Sequence, residues 1–176
     1  AQNMKAVNTV LSLDAFGKEL KRQSRANLTR NKKNASRSLY ESINYETVQH
    51  KNSFEFSFNM LPYGDFVDKG VSGTKRKFDT PYSYTNKMPP RDPILDWIKG
   101  KNLFLRNEKG QFKKGGQNTL AFLIQRKIFT KGMKPTHFYS KPFERLFKRL
   151  PDEVVKSYAL DMQEFISFSR QNKRLK

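Results

Sequence analysis

From Asp14 to about Lys33 the chain sets Phe16, Leu20 and Leu28 in a polar, strongly basic background, with Asp14 placed to cap a first turn. Apolar positions this sparse predict a solvated or partner-facing helix. Ala35, Leu39 and Ile43 follow at intervals of four, the stripe of a second short helix or of a continuation of the first. The period then falls to two. Tyr45, Thr47 and Val48 lead into a His50–Ser53 turn, after which Phe54, Phe56, Phe58 and Met60 alternate with Glu55, Ser57 and Asn59. That alternation predicts a β-hairpin with one buried face.

Pro62 stops the second strand, and residues 63–70 read as a short helical turn closed by Gly70. Residues 71–90 have no sustained period, and a loop of about 20 residues is longer than compact domains leave without a role. An arm ordered on assembly is the expectation here. Pro93 opens a brief helix through Ile94, Leu95, Trp97 and Ile98 to Gly100, with Trp97 read as core. After a turn at Asn107–Gly110 and a basic loop at 113–118, Asn118 is placed to cap a helix turning Leu120, Leu123, Ile124 and Ile128 to the core, with Gly132 as its stop. Pro142 lies in the first turn of a helix with Phe143, Leu146, Phe147 and Leu150 on one face, ended or kinked by Pro151. Asp152 and Glu153 open a last helix carrying Val154, Val155, Tyr158, Met162, Phe165 and Ile166, followed by a polar tail at 170–176. The fold class expected is α+β: a small antiparallel β-sheet with flanking helices, a long central loop and a C-terminal helix.

Composition narrows the chemistry. With 176 residues, 15 Phe and 7 Tyr the chain can build a modest core, as one domain or one domain with arms. No apolar run approaches the roughly 20 residues that cross a bilayer, and the opening residues lack the apolar core of a secretory signal, so a soluble protein without a membrane partner is expected. The absence of Cys removes disulfides, thiolate chemistry and iron–sulfur ligation. His50 and His137 stand far apart and in no metal-binding spacing, and no phosphate cradle or nucleophile elbow is present. Three carboxylate groups could in principle serve a nuclease: Asp65 with Asp68, Asp92 with Asp96, and Asp152 with Glu153. Each also has a structural reading on a short helix or in a helix first turn, so neither catalysis nor a cofactor is expected.

The charge is the strongest signal. There are 35 Lys and Arg against 16 Asp and Glu, a net +19, and residues 101–150 alone hold 13 basic against 2 acidic side chains. A field of this size favours a polyanionic or acidic partner. Lys109, Lys113, Lys114, Arg126, Lys127, Lys131, Lys134 and Lys141 form the basic patch to which such a partner would bind.

Three segments then stand in a telling order: Ala35–Ile43, Pro62-Tyr-Gly-Asp-Phe-Val-Asp-Lys-Gly-Val-Ser-Gly-Thr74, and Gly132-Met-Lys-Pro-Thr-His-Phe138, with Pro89-Pro90, Ile94 and Trp97 between the last two. In this order they resemble the tail-completion or head-tail joining proteins of tailed bacteriophages. The likeness covers roughly residues 14–150, as an α+β domain at 1–150, with 151–176 added as a C-terminal helix and basic tail. Gly64 stands where the family has Ala, and Asp68-Lys69-Gly70 where it has Glu-x-Gly. The resemblance implies a non-catalytic, ring-forming neck subunit that joins the portal-adaptor complex of the head to the tail, located in the virion and, during assembly, in the host cytoplasm. Tyr63, Phe66, Lys75, Arg76, Lys77, Phe78, Tyr82 and Tyr84 are then its expected subunit or partner interface. The basic patch would face either the DNA channel, through phosphate contacts without base readout, or acidic neighbours, the second being favoured because a basic channel would retard DNA. A sequence-nonspecific nucleic-acid-binding protein is the alternative, supported by the +19 charge and the basic helix at 18–33.

Overall fold

The structure, a computed structural model, describes residues 6–33, 37–50, 53–112 and 116–168, and the helical backbone onward to Arg174. Seven helices and one two-stranded antiparallel hairpin among these residues make an α+β fold. The chain divides into two compact units, Ala1–Leu61 with Phe138–Lys176, and Pro62–His137.

In the first unit, α1 (Val7–Arg30) buries Leu13, Phe16, Gly17, Leu20, Ser24 and Leu28 along one stripe at helical spacing. The sparse apolar positions predict a solvated or partner-facing helix, yet one face of it is fully buried. Those few positions all fall on one face, and that face packs against the hairpin, α6 and α7. The helix also starts at Val7, so Asp14 is interior rather than a cap; its carboxylate accepts from the Tyr45 hydroxyl at 2.7 Å and pairs with Lys18 at 3.0 Å. A Schellman turn closes the helix, with Lys33 N–H donating to Leu28 O and Lys32 N–H to Thr29 O, each at 3.0 Å.

After α2 (Ser38–Ser42), β1 (Asn44–Gln49) and β2 (Phe54–Asn59) pair with Tyr45 opposite Phe58 and Thr47 opposite Phe56. The hairpin is the one that the period of two predicts. Phe54, Phe56 and Phe58 pack on a core of Leu13, Phe16, Leu20 and Leu150, and Phe16 meets Phe56 edge-on at 5.0 Å. Burying a side chain such as Phe16 contributes about 1.5–3 kcal/mol. Leu39 and Ile43 are buried as their spacing suggests; Ala35 lies outside the described residues. From α6 (Ser140–Phe147), Phe143 and Leu146 join the core while Phe147 stays exposed. α6 closes at Phe147, and Pro151 sits in the first turn of α7 (Leu150–Arg174), ahead of Asp152 and Glu153. The polar tail expected from residue 170 is therefore helical backbone as far as Arg174.

The second unit contains α3 (Gly64–Lys69), α4 (Asp92–Gly100) and α5 (Gln117–Lys131). Two of the motif segments meet here. Val71 and Met133 exchange backbone hydrogen bonds of 2.9 and 2.8 Å, with Gly70 and Gly132 at positive φ beside them. A Cβ on Gly132 would collide with the Val71 carbonyl, so the close approach of the two chains requires glycine. Thr136 and His137 donate their N–H groups to Asp68 O at 3.0 and 2.9 Å, satisfying the end of α3. Asp68 does not decorate a surface helix, because its side chain is fully buried. Ile98 is the buried residue of α4, while Trp97, expected in the core, is 43% exposed. Asn118 is inside α5 rather than its cap; Gly116 holds that position, and Leu123 is exposed while Ala121 is buried.

Candidate functional site

The 71–90 loop is tied down at its base. Ser72 N–H donates to Tyr82 O and Tyr84 N–H to Ser72 O, both at 2.8 Å, while the Ser72 hydroxyl accepts from Phe78 N–H at 2.9 Å. Thr74 and Lys75 donate their N–H groups to Phe129 and Thr130 carbonyls at 2.9 Å, which satisfies the C-terminal end of α5. Lys75, Arg76 and Lys77 thus stand exposed at the negative end of the α5 dipole. Arg76 also lies over the Phe78 ring at 5.0 Å. Phe66 packs edge-on against Tyr82 at 4.5 Å and stays 41% exposed, beside an exposed Tyr63, whereas Tyr84 turns inward toward Phe129. Burial raises the Tyr84 phenol above its ordinary pKa.

The basic side chains expected to form a patch are carried by several elements. Arg126, Lys127 and Lys131 are exposed on α5, Lys134 follows its end, and Lys109 lies on the Asn107–Gly110 turn. Lys141 belongs to α6 in the other unit, and Lys113 and Lys114 lie outside the described residues.

Two features of the first unit lie outside the interface and basic patch named from the sequence. α7 meets α1 through polar groups: the Asp161 carboxylate, buried at 3% exposure, accepts from Asn8 N–H at 2.9 Å, Thr9 N–H at 3.0 Å, the Thr9 hydroxyl at 2.7 Å and the Asn8 side-chain amide at 2.9 Å. It thereby caps the N-terminus of α1, which has no cap of its own. Burial opposes its ionisation, and these hydrogen bonds outweigh burial, leaving its pKa below the ordinary carboxylate value. Ser157 and Ser12 hydroxyls share a further bond of 2.7 Å. The apolar stripe of α7 looks elsewhere. At 100° per residue, the stripe of Val155, Tyr158, Met162, Phe165 and Ile166 is centred about a quarter turn from the middle of Val154, Ser157 and Asp161, with Phe165 and Tyr158 at its nearer edge. Val155 is 68% exposed, and Tyr158, Phe165 and Ile166 are exposed with it.

The second feature is a groove of about 540 Å³ on the opposite, basic side of α1, lined by Lys18, Lys21, Arg22, Arg25, Tyr40 and Tyr45. Arg25 donates to the carbonyls of Tyr40 at 3.0 Å and Ile43 at 3.3 Å, which ties α2 to α1. Glu19 pairs with Arg22 at 2.6 Å and also accepts from Gln23; the Arg22 guanidinium first, and the Gln23 amide after it, bring the Glu19 pKa down to about 2.

No family model, curated protein or solved structure matches this chain. Among the described residues no group of three or more His, Asp or Glu is placed to hold a metal ion, and no helix is long and apolar enough to cross a membrane. Asp65 is taken up by Lys69 at 3.6 Å, and Asp92 lies in the first turn of α4. The exposed stripe of α7 had a legible signal, namely the repeat of three and four itself. What pointed to its exposure was Ser157 and Asp161 one face over, since two polar residues in register mark a second, polar contact surface.

Proposed function

We propose that this protein is a structural virion subunit, a ring-forming neck or tail-completion protein that joins the portal-adaptor complex of a phage head to the tail and carries out no catalysis. The observation that carries this reading is the α7 stripe. In a chain of net charge +19, an unpaired helix face of Val155, Tyr158, Phe165 and Ile166 runs against the general polarity of the surface. Contiguous apolar surface of this kind belongs to interfaces between chains. α7 is already fixed to α1 by Asp161 and Ser157, so the stripe is presented by a rigid element and is free for a neighbour. Phe66, Tyr63 and the 75–77 side chains offer a second exposed surface on the other unit. Two unlike surfaces on one subunit suit head-to-tail contacts, which close into rings. Within the motif segments at 62–74 and 132–138, glycines serve the close backbone approach at Val71 and Met133.

The test is negative-stain imaging of the purified protein mixed with the portal-adaptor complex or the tail of its phage. A closed ring seated on either partner is expected. A protein that binds no virion component, yet coats DNA, would replace this reading with that of a nucleic-acid-binding protein.

A further inference from the structure

On α1, Lys18, Arg22, Arg25 and Thr29 fall at i, i+4, i+7 and i+11, with Lys21 alongside. That spacing keeps them on one side of the helix, over about 16 Å at 1.5 Å per residue. Their charges are unequally matched. Lys18 has Asp14 at 3.0 Å and Arg22 has Glu19 at 2.6 Å, but Lys21 donates to the neutral Asn44 side chain at 3.1 Å and Arg25 to backbone carbonyls. Arg25 and Arg37 both approach the Tyr40 ring, at 4.8 and 5.5 Å from its centroid, and among the described residues neither is in an ion pair. Arg25 thus brings to the groove a charge that no carboxylate among the described residues pairs with, and a bound anion would neutralise it.

We propose that this groove holds the phosphodiester backbone of a nucleic acid strand. The basic side chains from Lys18 to Arg25 span about 10 Å of helix, more than a single phosphate covers, which suits a polymer of regularly spaced anions. The surface is concave, and apart from Ala26 and the Tyr40 and Tyr45 rings the described residues lining it are polar, which suits a strand lying in a groove better than the apolar face of an interfacial helix. Contacts here would be with phosphates, without a base code. The site does not rest on the assembly reading, since a ring subunit and a free nucleic-acid-binding protein would carry it alike.

Binding of a labelled single strand and of a duplex, each about 20 nucleotides long, is titrated against salt. The variant is Lys18→Gln with Lys21→Gln and Arg22→Gln; Arg25 is kept because it holds the α2 carbonyls. The expected result is an affinity loss of about tenfold or more at low salt and a log–log salt slope shallower by about two to three. Lys99→Gln with Lys101→Gln, exposed at the end of α4 and outside the groove, is expected to leave both nearly unchanged. Should the triple variant fail to fold, the wild-type chain still answers: bound oligonucleotide is expected to shield the Lys18 and Lys21 amines from acylation, read by mass spectrometry. No oligonucleotide binding at low salt, an unchanged slope in the folded triple variant, or unshielded Lys18 and Lys21 would overturn the proposal. An equal loss in the α4 variant would assign the binding to bulk charge, and binding to phosphatidylserine vesicles that oligonucleotide cannot displace would assign the groove to membranes; either overturns it. Native mass recorded on the same samples separates failure of this site from failure of assembly.

Discussion

Asp161 shows how much one side chain can settle. Its carboxylate stands in for the cap that α1 lacks, and with Ser157 it adds a polar contact between α7 and α1 to the apolar one made by Leu150 and Val154. Replacing it by Ala leaves the N–H groups of Asn8 and Thr9 and the Thr9 hydroxyl without their acceptor in a buried place, at a cost of about 2–3 kcal/mol. Urea denaturation of Asp161→Ala against wild type measures this, and a difference under about 0.5 kcal/mol would mean that the cap is not formed. The pH dependence follows in sign. Because the folded pKa of Asp161 is depressed, its contribution is complete above the ordinary carboxylate value near 3.9 and is lost as the pH falls through the folded value. Urea midpoints taken from about pH 6 down to about pH 3 should therefore fall more steeply for wild type than for Asp161→Ala. None of this could be read from the sequence, because donors and acceptor are separated by 152 or 153 positions.

At the scale of elements, the contact between α1 and the hairpin turns on Gly17. In an open helix, Gly→Ala stabilises by about 1 kcal/mol. Here a Cβ at position 17 would enter the Tyr45 ring, which lies on the helix and is held there by its bond to Asp14. Gly17→Ala is therefore expected to destabilise by about 1–3 kcal/mol, and the same change in a Tyr45→Ala background to stabilise instead. Thermal melting of the four chains decides it; a stabilising Gly17→Ala in the wild-type background would remove Tyr45 from the helix surface. The hairpin itself was legible, since a period of two through Phe54, Phe56 and Phe58 has one structural meaning. Helix existence was legible at α3 to α7 for the same kind of reason. Which face goes where was not. A stripe such as Val155–Ile166 states that an apolar face exists, not that this chain covers it, and the sparse apolar positions of α1, which suggest a solvated or partner-facing helix, do not show that all of them are buried on one side. Trp97 and Leu123 were misassigned in the same way, while smaller neighbours, Ile98 and Ala121, fill the interior.

For the molecule as a whole, charge and apolar surface point in different directions. The +19 charge repels a second copy, and only a specific apolar contact with good shape overcomes that at physiological salt. Self-association is accordingly expected to strengthen with salt, whereas binding in the α1 groove weakens with it. The expected interface at 63–84 and the α7 stripe lie on different units, so each can be altered without the other. The most direct measurement is native mass by light scattering, alone and with the neck components, for wild type and for Tyr158→Ser with Phe165→Ser. Both side chains are exposed in the single chain, so its melting temperature should change little. Wild type is expected at a multiple of 20.7 kDa, with the variant at 20.7 kDa and equally folded. A wild-type chain that stays at 20.7 kDa under every condition, or a variant that assembles as well as wild type, would contradict the assignment of α7 as the assembly surface.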